Sequence, residues 1–200
     1  MDHIDELARA LARLPGIGPR QGKRFVYYLL SAPTSERTKL AELILSLGKD
    51  VRQCSECFRF HNETTTNVCR YCSDHGRDDA ILMFVEKDQD LSAIERAGTY
   101  HGRYFVLGGV LTLSGKGAIR EKELLQMVEK RLGNGLKEVV LALSATSEGE
   151  HTADRVRALL APYRDHLKIS ELGRGLATGS ELEYSDAQTL RAALINRREA

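Results

Sequence analysis

The residues of this 200-residue sequence with the clearest chemistry are its four cysteines, which form two Cys-x-x-Cys pairs. Cys54 and Cys57 make the first pair, and Cys69 and Cys72 make the second after eleven intervening residues. Two such pairs at this spacing are typical of one tetrahedral Zn²⁺ site with four thiolate ligands. Because four sulfurs leave no position open for water, the sequence predicts a structural zinc site and not a catalytic one.

Two histidines, His61 and His75, lie close enough in the sequence to replace a sulfur ligand. We expect neither to do so, because four sulfurs already fill the coordination shell and a surface position is more usual for a histidine. The alternative for the cysteines is packing or redox exchange, but paired motifs at this spacing favour a metal.

A second candidate site is the glycine turn, LPGIGP over residues 14–19, which joins two predicted helices. Gly16 and Gly18 allow a sharp turn that brings backbone N–H groups to the surface at the start of a helix. Such a helix N-terminus attracts phosphate through unpaired donors and the helix dipole. Three cations follow within the first turns: Arg20, Lys23 and Arg24. The pattern is typical of a helix-hairpin-helix motif that binds DNA phosphates with little sequence preference. The alternative is a compact helix connection with surface cations.

Acidic residues in the second half of the chain raise the question of catalysis. Glu86 follows a predicted strand, where parallel sheets place their sites, and the order of elements resembles the Toprim domain of topoisomerases and primases. Toprim magnesium chemistry also needs an Asp-x-Asp pair after a later strand, but SATSEGE over residues 144–150 stands there. Glu86 with Glu148 and Glu150 is a small set of ligands for a hard cation. Glu86 is equally well explained as an acceptor of backbone N–H bonds.

Apolar spacing predicts the elements that position the N-terminal candidates. A helix is expected over residues 3–14, ending at Pro15, and a second from Pro19 to about Leu30. A third should stop at Gly48, where a left-handed residue is usually needed. Residues 52–73 show no periodicity, which favours a fold organised by metal and not by a core.

From Ala80 onward, short apolar runs alternate with helical segments over residues 88–97, 120–132 and 151–161. The predicted fold class is therefore α/β, with an N-terminal helical helix-hairpin-helix unit, a small four-cysteine zinc module and a Toprim-like, mainly parallel sheet with flanking helices. A last helix is expected over residues 186–197. The glycine-rich acidic segment before it is either a binding loop or a solvated turn. The expected domains are residues 1–51, 52–78, 79–173 and 174–200.

The net charge of +1 is unevenly divided along the chain. Between Leu7 and Ser35 there is no acid, and this segment carries five cations: Arg9, Arg13, Arg20, Lys23 and Arg24. No run of apolar residues reaches the roughly 18 that a membrane span needs, and the start of the chain has acids in a helical pattern instead of a signal sequence. We therefore expect a cytoplasmic protein.

Over essentially its full length the chain resembles the RecR family of bacterial recombination mediators. The residues that carry the resemblance are LPGIGP, the cysteine quartet, EGEHTA and RGLATGSELEYSD. It implies a protein that works with RecO, and in some contexts RecF, to help load recombinase onto single-stranded or gapped DNA, as a ring-like tetramer. It also implies DNA contacts at Arg20 and Arg24 and RecO contacts at Glu148 and Glu150. The chain departs from the family pattern at Ser144-Ala145, at Ala177 and at Gly179-Ser180.

Three functions remain open at this point. The favoured one is a DNA-binding mediator that is not an enzyme and that binds Zn²⁺ and DNA. The second is a magnesium-dependent Toprim nuclease or primase, which the missing Asp-x-Asp pair disfavours. The third is a zinc module that binds only protein, which a failure of the basic turn to bind DNA would indicate.

Overall fold

The computed structural model describes residues 2–63, 65–115, 117–197 and 199, and divides the chain into two compact units. The first unit is Met1–Arg52 and the second is Gln53–Ala200. None of the helices in the described residues is long and apolar enough to cross a membrane.

The first unit consists of three helices: α1 (His3–Leu11), α2 (Pro19–Ser31) and α3 (Thr34–Asp50). The side chain of Asp2 caps α1 by accepting the N–H of Ile4, and Pro19 is the first residue of α2 as expected. The prediction that the first helix reaches residue 14 is wrong by about one turn. The N–H groups of residues 13 and 14 bond to carbonyls three residues back, so the chain tightens before the glycine turn.

Helix α3 continues through Gly48 to Asp50, so the prediction that it stops at Gly48 is wrong. Gly48 does not have positive φ, and Val51 after the helix is extended, so this helix ends without a left-handed residue. No residue of α3 is buried. Its large apolar side chains are exposed: Leu40, Leu43, Ile44, Leu45 and Leu47.

The second unit contains a four-stranded sheet in which every pair of neighbours is parallel. The strands are β3 (Asp78–Val85), β4 (Gly102–Val106), β5 (Glu138–Ala142) and β6 (Lys168–Glu171), in the order β4-β3-β5-β6. The crossovers are α5 (Asp88–Ala97), α6 (Glu121–Leu132) and α7 (Ser147–Leu159). The predicted α/β class with a mainly parallel sheet is confirmed.

Both faces of the sheet are covered, as the continuous apolar runs predicted. Leu82 and Phe84 belong to one core cluster, which includes the buried side chains of α6 and α7. Met83 and Val85 belong to a second cluster, with Leu91 of α5. Alternate residues of β3 therefore pack into the core clusters on opposite faces of the sheet.

Smaller elements lie before and after the sheet in the sequence. Strands β1 (Arg52–Gln53) and β2 (Phe60–His61) pair with each other, and the short helix α4 (Arg70–Ser73) follows. The last helix, α8 (Ala187–Ile195), begins after Asp186, whose carboxylate accepts the N–H groups of Gln188 and Thr189. The glycine-rich segment before it is largely exposed and contains one short 3₁₀ turn.

Candidate metal centre and nucleic-acid interface

The four cysteines lie together as one cluster, with their sulfur atoms within 4.8 Å of one another. The Sγ atoms of Cys57 and Cys69 are 3.6 Å apart, which is too long for a disulfide. A tetrahedron with metal–sulfur bonds of about 2.3 Å has edges of about 3.8 Å, close to this distance. Cys54, Cys57 and Cys69 are buried and Cys72 is half-buried. The donor set and its spacing therefore fit a closed four-sulfur metal site.

Local backbone geometry brings the sulfurs together. After the first pair, Phe58 adopts a left-handed conformation with φ of 62°, and its N–H donates to the Cys54 carbonyl at 3.0 Å. The N–H of Cys69 donates to the Cys54 sulfur at 3.3 Å, which links the two pairs. Hydrogen bonds from Cys57, Cys69 and Cys72 hold the pKa of Cys54 well below its ordinary value, so the cluster favours a thiolate there.

The cysteine module, residues 53–73, is not independent of the sheet. Three of its cysteines belong to the same buried cluster as Met83, Val85 and Tyr104. The N–H of Val106 donates to the Cys57 carbonyl at 2.8 Å, which covers the outer edge of β4. The clustered sulfurs agree with a segment organised by metal, but the expectation that it has no core is wrong, because its sulfurs pack into the core of the neighbouring layer.

Arg103 on β4 fastens the second cysteine pair to the sheet. Its buried guanidinium donates from Nη1 to the carbonyls of Tyr71 and Cys72, both at 3.0 Å. Its Nε donates to Asp79 at 2.8 Å, and the pKa of Asp79 is lowered mainly by this bond. Because the arginine joins backbone acceptors of α4 to a carboxylate of β3, it fixes the module against two strands.

Neither histidine is part of the cysteine cluster within the described residues. His75 is exposed. His61 is buried, and its Nδ1 lies 2.6 Å from Oε2 of Glu63. The expectation of a surface position for His61 is therefore wrong, since the imidazole lies inside the module beside a carboxylate.

The glycine turn presents the start of α2 to the surface. Gly16 has φ of 78°, which favours glycine, and Ile17 donates to the Leu14 carbonyl at 3.1 Å. Gly18 is the N-cap of α2 and offers no side chain to bond the first N–H groups. No side chain among the described residues caps this helix N-terminus, so its donors can bond an outside acceptor.

The three cations of the motif differ in their surroundings. Arg20 and Arg24 are exposed. Lys23 donates from Nζ to Asp5 of α1 at 3.1 Å, and this hydrogen bond raises the pKa of Lys23. Lys23 therefore shares its charge with a carboxylate, which leaves Arg20 and Arg24 as the stronger attraction for a phosphate.

Gly22 is a residue of this motif that the sequence analysis missed. It is buried where α2 crosses α1, and a Cβ added there would lie 2.5 Å from the Ala8 carbonyl oxygen. The spacing Gly18-x-x-x-Gly22 is the sequence signal for this contact, because small residues four apart let two helices approach closely.

Glu86 has the environment of a structural acceptor. It is buried at the end of β3, and its Oε1 accepts the N–H of Ser144 at 2.7 Å. Within the residues that the structure describes, no group of three or more potential ligands forms around this carboxylate. The structure therefore agrees with the second interpretation of Glu86, in which its carboxylate accepts a backbone N–H bond.

Glu148 and Glu150 lie on the first turn of α7 and not in an exposed loop. The helix begins four residues earlier than predicted because Thr146 caps it, accepting the N–H of Gly149 at 3.1 Å. Both glutamates are half-buried, and Glu150 pairs with Arg174. The two carboxylates therefore complement the positive end of the helix dipole as well as facing outward.

Comparison with known proteins connects these features. A RecR helix-hairpin-helix profile matches residues 4–47, a Toprim profile matches residues 80–172 and a RecR C-terminal profile matches residues 175–198. A recombination protein RecR from Carboxydothermus hydrogenoformans is 39% identical, with 98% of this chain and 96% of the relative covered. The chain belongs to the RecR family. RecR proteins of Bifidobacterium longum and Bdellovibrio bacteriovorus are 38% and 37% identical, with 98% and 97% of this chain and 96% of each relative covered.

Membership of the RecR family gives the chain a role in recombinational repair. The family's helix-hairpin-helix profile covers the glycine turn and α2, which supports DNA binding. The Toprim profile covers Glu86 and the segment around Glu148, although SATSEGE stands after β5 where Toprim enzymes carry an Asp-x-Asp pair. The cysteine cluster lies between the two matched regions.

Proposed function

We propose that the chain is a non-catalytic DNA-binding mediator that acts with RecO and RecF to help load recombinase onto single-stranded or gapped DNA. The observation that carries the proposal is the glycine turn, where an uncapped helix N-terminus stands beside exposed Arg20 and Arg24. Gly16, Gly18 and Lys23 complete the phosphate-binding surface. Contacts of this kind act on any sequence, which suits a protein that must follow DNA wherever a gap forms.

The absence of catalysis is part of the proposal, and it rests on the surroundings of Glu86. A carboxylate that already accepts the Ser144 N–H has one oxygen committed to the fold. Two-metal phosphoryl chemistry usually takes several carboxylates around one site. SATSEGE after β5 supplies no aspartate, which favours a mediator over a magnesium-dependent nuclease or primase.

The metal that we propose for the cysteine cluster is Zn²⁺, held by Cys54, Cys57, Cys69 and Cys72. Four thiolates are a typical structural zinc shell, which leaves no coordination position for water, and three of the four cysteines are buried. Zinc would contribute stability to the fold, and the shell leaves it no part in a reaction.

The partner surface for RecO is proposed at Glu148 and Glu150. They stand at the carboxyl end of the sheet, where doubly wound folds bind their ligands. Half-buried carboxylates at this edge can still provide electrostatic complementarity to a basic partner. The ion pair between Glu150 and Arg174 makes Glu148 the freer of the two for such a contact.

We further propose a ring-like homotetramer. A single turn offers few phosphate contacts, so several copies on one DNA gain strength through effective concentration. The first unit carries apolar side chains that a second copy would cover, including Tyr27, Leu30 and Leu45, each more than half exposed. Light scattering across protein concentrations tests this, and a monomer that binds DNA at full strength would contradict it.

The function is tested by Arg20→Glu combined with Arg24→Glu. Binding to single-stranded, duplex and gapped DNA should weaken alike, and its dependence on salt should flatten, because phosphate contacts act through counterion release. Arg164→Glu, an exposed cation outside the first unit, is the matched control. Unchanged affinity and salt dependence in the double variant would move the DNA site elsewhere.

A further inference from the structure

A cavity of about 380 Å³ opens at the carboxyl ends of β3 and β4. Four separate segments form its walls: the residues after the first cysteine pair, the start of α5, the end of β4 with Gly108, and the residue before α6. Three cations converge on it: Arg59, Lys87 and Arg120. Asp88 also lines the cavity, and its Oδ1 is engaged by the N–H of Phe60 at 2.8 Å. The cavity is therefore predominantly cationic.

The two arginines of this cavity form no ion pairs with described carboxylates, unlike the other buried or half-buried arginines of the second unit. Arg59 and Arg120 are half-buried, yet neither is ion-paired with any carboxylate in the part of the chain that the structure describes. The Nε of Arg59 is buried without an acceptor. The other buried or half-buried arginines of the same unit all pair with carboxylates: Arg77, Arg103, Arg131, Arg157 and Arg174. Since removing a guanidinium from water without an anion is costly, the two unpaired arginines indicate an anion that comes from outside.

The guanidinium of Arg120 is held in place before any ligand arrives. Its Nη1 donates to the Val106 carbonyl at 2.8 Å, and its Cζ lies 5.4 Å from the centre of the Phe58 ring. Gly108 makes this position possible, because a Cβ there would lie 2.4 Å from the same Nη1. Gly108 also has φ of 89°. The backbone after β4 is thus shaped around the arginine.

Arg59 is held in a comparable way from the cysteine module. Its Cζ lies 4.6 Å from the centre of the Tyr71 ring. The N–H of Cys54 donates to its carbonyl at 2.8 Å, so the backbone of Arg59 is fixed by the first cysteine pair. Arg59 and Arg120 thus line the cavity from two different segments of the chain, and exposed Lys87 lines it from a third.

We propose that this cavity binds a phosphate group, as a second anion site separate from the glycine turn. Guanidinium groups bind phosphate oxygens in pairs of parallel hydrogen bonds, and Lys87 adds a point charge. The cavity of about 380 Å³ has room for a phosphate group that belongs to a larger ligand. The backbone of a DNA strand and a free nucleotide both supply it.

The test uses the full-length, metal-loaded chain carrying Arg20→Glu and Arg24→Glu, which removes the main cations of the glycine turn. Isothermal titration calorimetry is run with three probes: inorganic pyrophosphate, ATP and an oligothymidylate. Adding Arg59→Gln or Lys87→Gln should weaken binding about tenfold, the loss of one charge-assisted contact. Arg96→Gln, which removes an exposed cation at the far end of α5, should leave binding unchanged.

The probes separate the two sources of phosphate. Binding of pyrophosphate and ATP that depends on Arg59 and Lys87 identifies a nucleotide site, and such binding of the oligothymidylate alone identifies a DNA backbone site. Absence of binding by all three probes overturns the proposal. Equal affinity in the parent and in both cavity variants overturns it as well. Lys87 is exposed, so the Lys87→Gln result stands even if Arg59→Gln disturbs the fold.

Discussion

The carboxylate of Glu86 and the backbone N–H of Ser144 form a hydrogen bond of 2.7 Å that joins the carboxyl ends of β3 and β5. Both strands end where a doubly wound sheet would place a catalytic group. Here the carboxylate bridges two neighbouring segments of the fold. We expect its removal to alter stability and not to abolish a reaction.

Glu86→Ala should lower the free energy of unfolding by about 1 kcal/mol, because the Ser144 N–H loses its acceptor. Glu86→Gln retains an amide oxygen and should cost less. Chemical denaturation measures both. Neither the unmodified chain nor either variant should cleave or extend DNA with magnesium or manganese, and metal-dependent turnover lost in Glu86→Gln would contradict this interpretation.

Cys57→Ser should reduce bound metal and destabilise the sheet together with the cysteine module. The module and the sheet should loosen together because the Val106 N–H donates to the Cys57 carbonyl. The cysteines also share a buried core with β3 and β4. The loss should amount to several kcal/mol, since binding energy at a structural metal site is folding energy. Metal analysis and thermal unfolding are the measurements, with exposed Ser55→Ala as the control. A sheet that unfolds as in the unmodified chain would show that the two are uncoupled.

Gly22→Ala should separate α1 from α2, because its Cβ would lie 2.5 Å from the Ala8 carbonyl. We expect a loss of about 2 kcal/mol, as in overpacked cores, together with weaker DNA binding. Gly48→Ala is the matched control, since Gly48 lies within α3 with open space around it. That change should be neutral or stabilise by up to about 1 kcal/mol. Equal effects in denaturation experiments would exclude the contact as the cause.

Glu148→Lys should impair association with RecO more than it alters the fold, and Glu150→Lys should do so while also placing like charge beside Arg174. Pull-down of RecO measures association, and circular dichroism measures the fold. Glu123→Lys reverses a charge on the first turn of a different helix, α6, and serves as the control. Yields equal to those of the unmodified chain would remove these residues from the partner surface.

The ion pair between Glu121 and Arg155 should make stability depend on pH in the acid range. Arg155 donates two hydrogen bonds, at 2.9 and 2.8 Å, and these lower the pKa of Glu121 below its usual 4.5. A lowered pKa in the fold means that the contribution is present above 4.5 and is lost as pH falls through the folded-state value. Arg155→Gln should therefore reduce urea stability by a small, constant amount from pH 5 to 7, and the difference should shrink at lower pH. A difference that grows on acidification would have the wrong sign.

Much of this structure could be predicted from residue types and spacing. The clustering of the four cysteines could be predicted because the spacing of metal ligands is visible in the sequence itself. The strands could be predicted from apolar runs because both faces of the sheet are covered. The start of α7 could not, since Thr146 caps it only because Gly149 can approach the Ser144 carbonyl, where a Cβ would lie 1.9 Å away.

Contacts between distant segments likewise depend on tertiary packing and could not be predicted from residue spacing. Nothing in the spacing of residues 52–73 shows that Cys57 bonds to Val106 or that Arg103 reaches the second cysteine pair. Burial of His61 is likewise a property of the assembled module. Local pattern determined which groups were available, and tertiary packing determined which of them became partners.

The cysteine module covers the outer edge of β4, and this cover depends on the module being folded around its metal. A strand edge whose backbone groups lose their cover is a template on which other chains can add. Chains made before they acquire a metal would expose that template, and newly made protein would be lost to insoluble deposits. Supply of the ion during synthesis would then limit how much usable protein accumulates, well before any shortage affected molecules that are already folded.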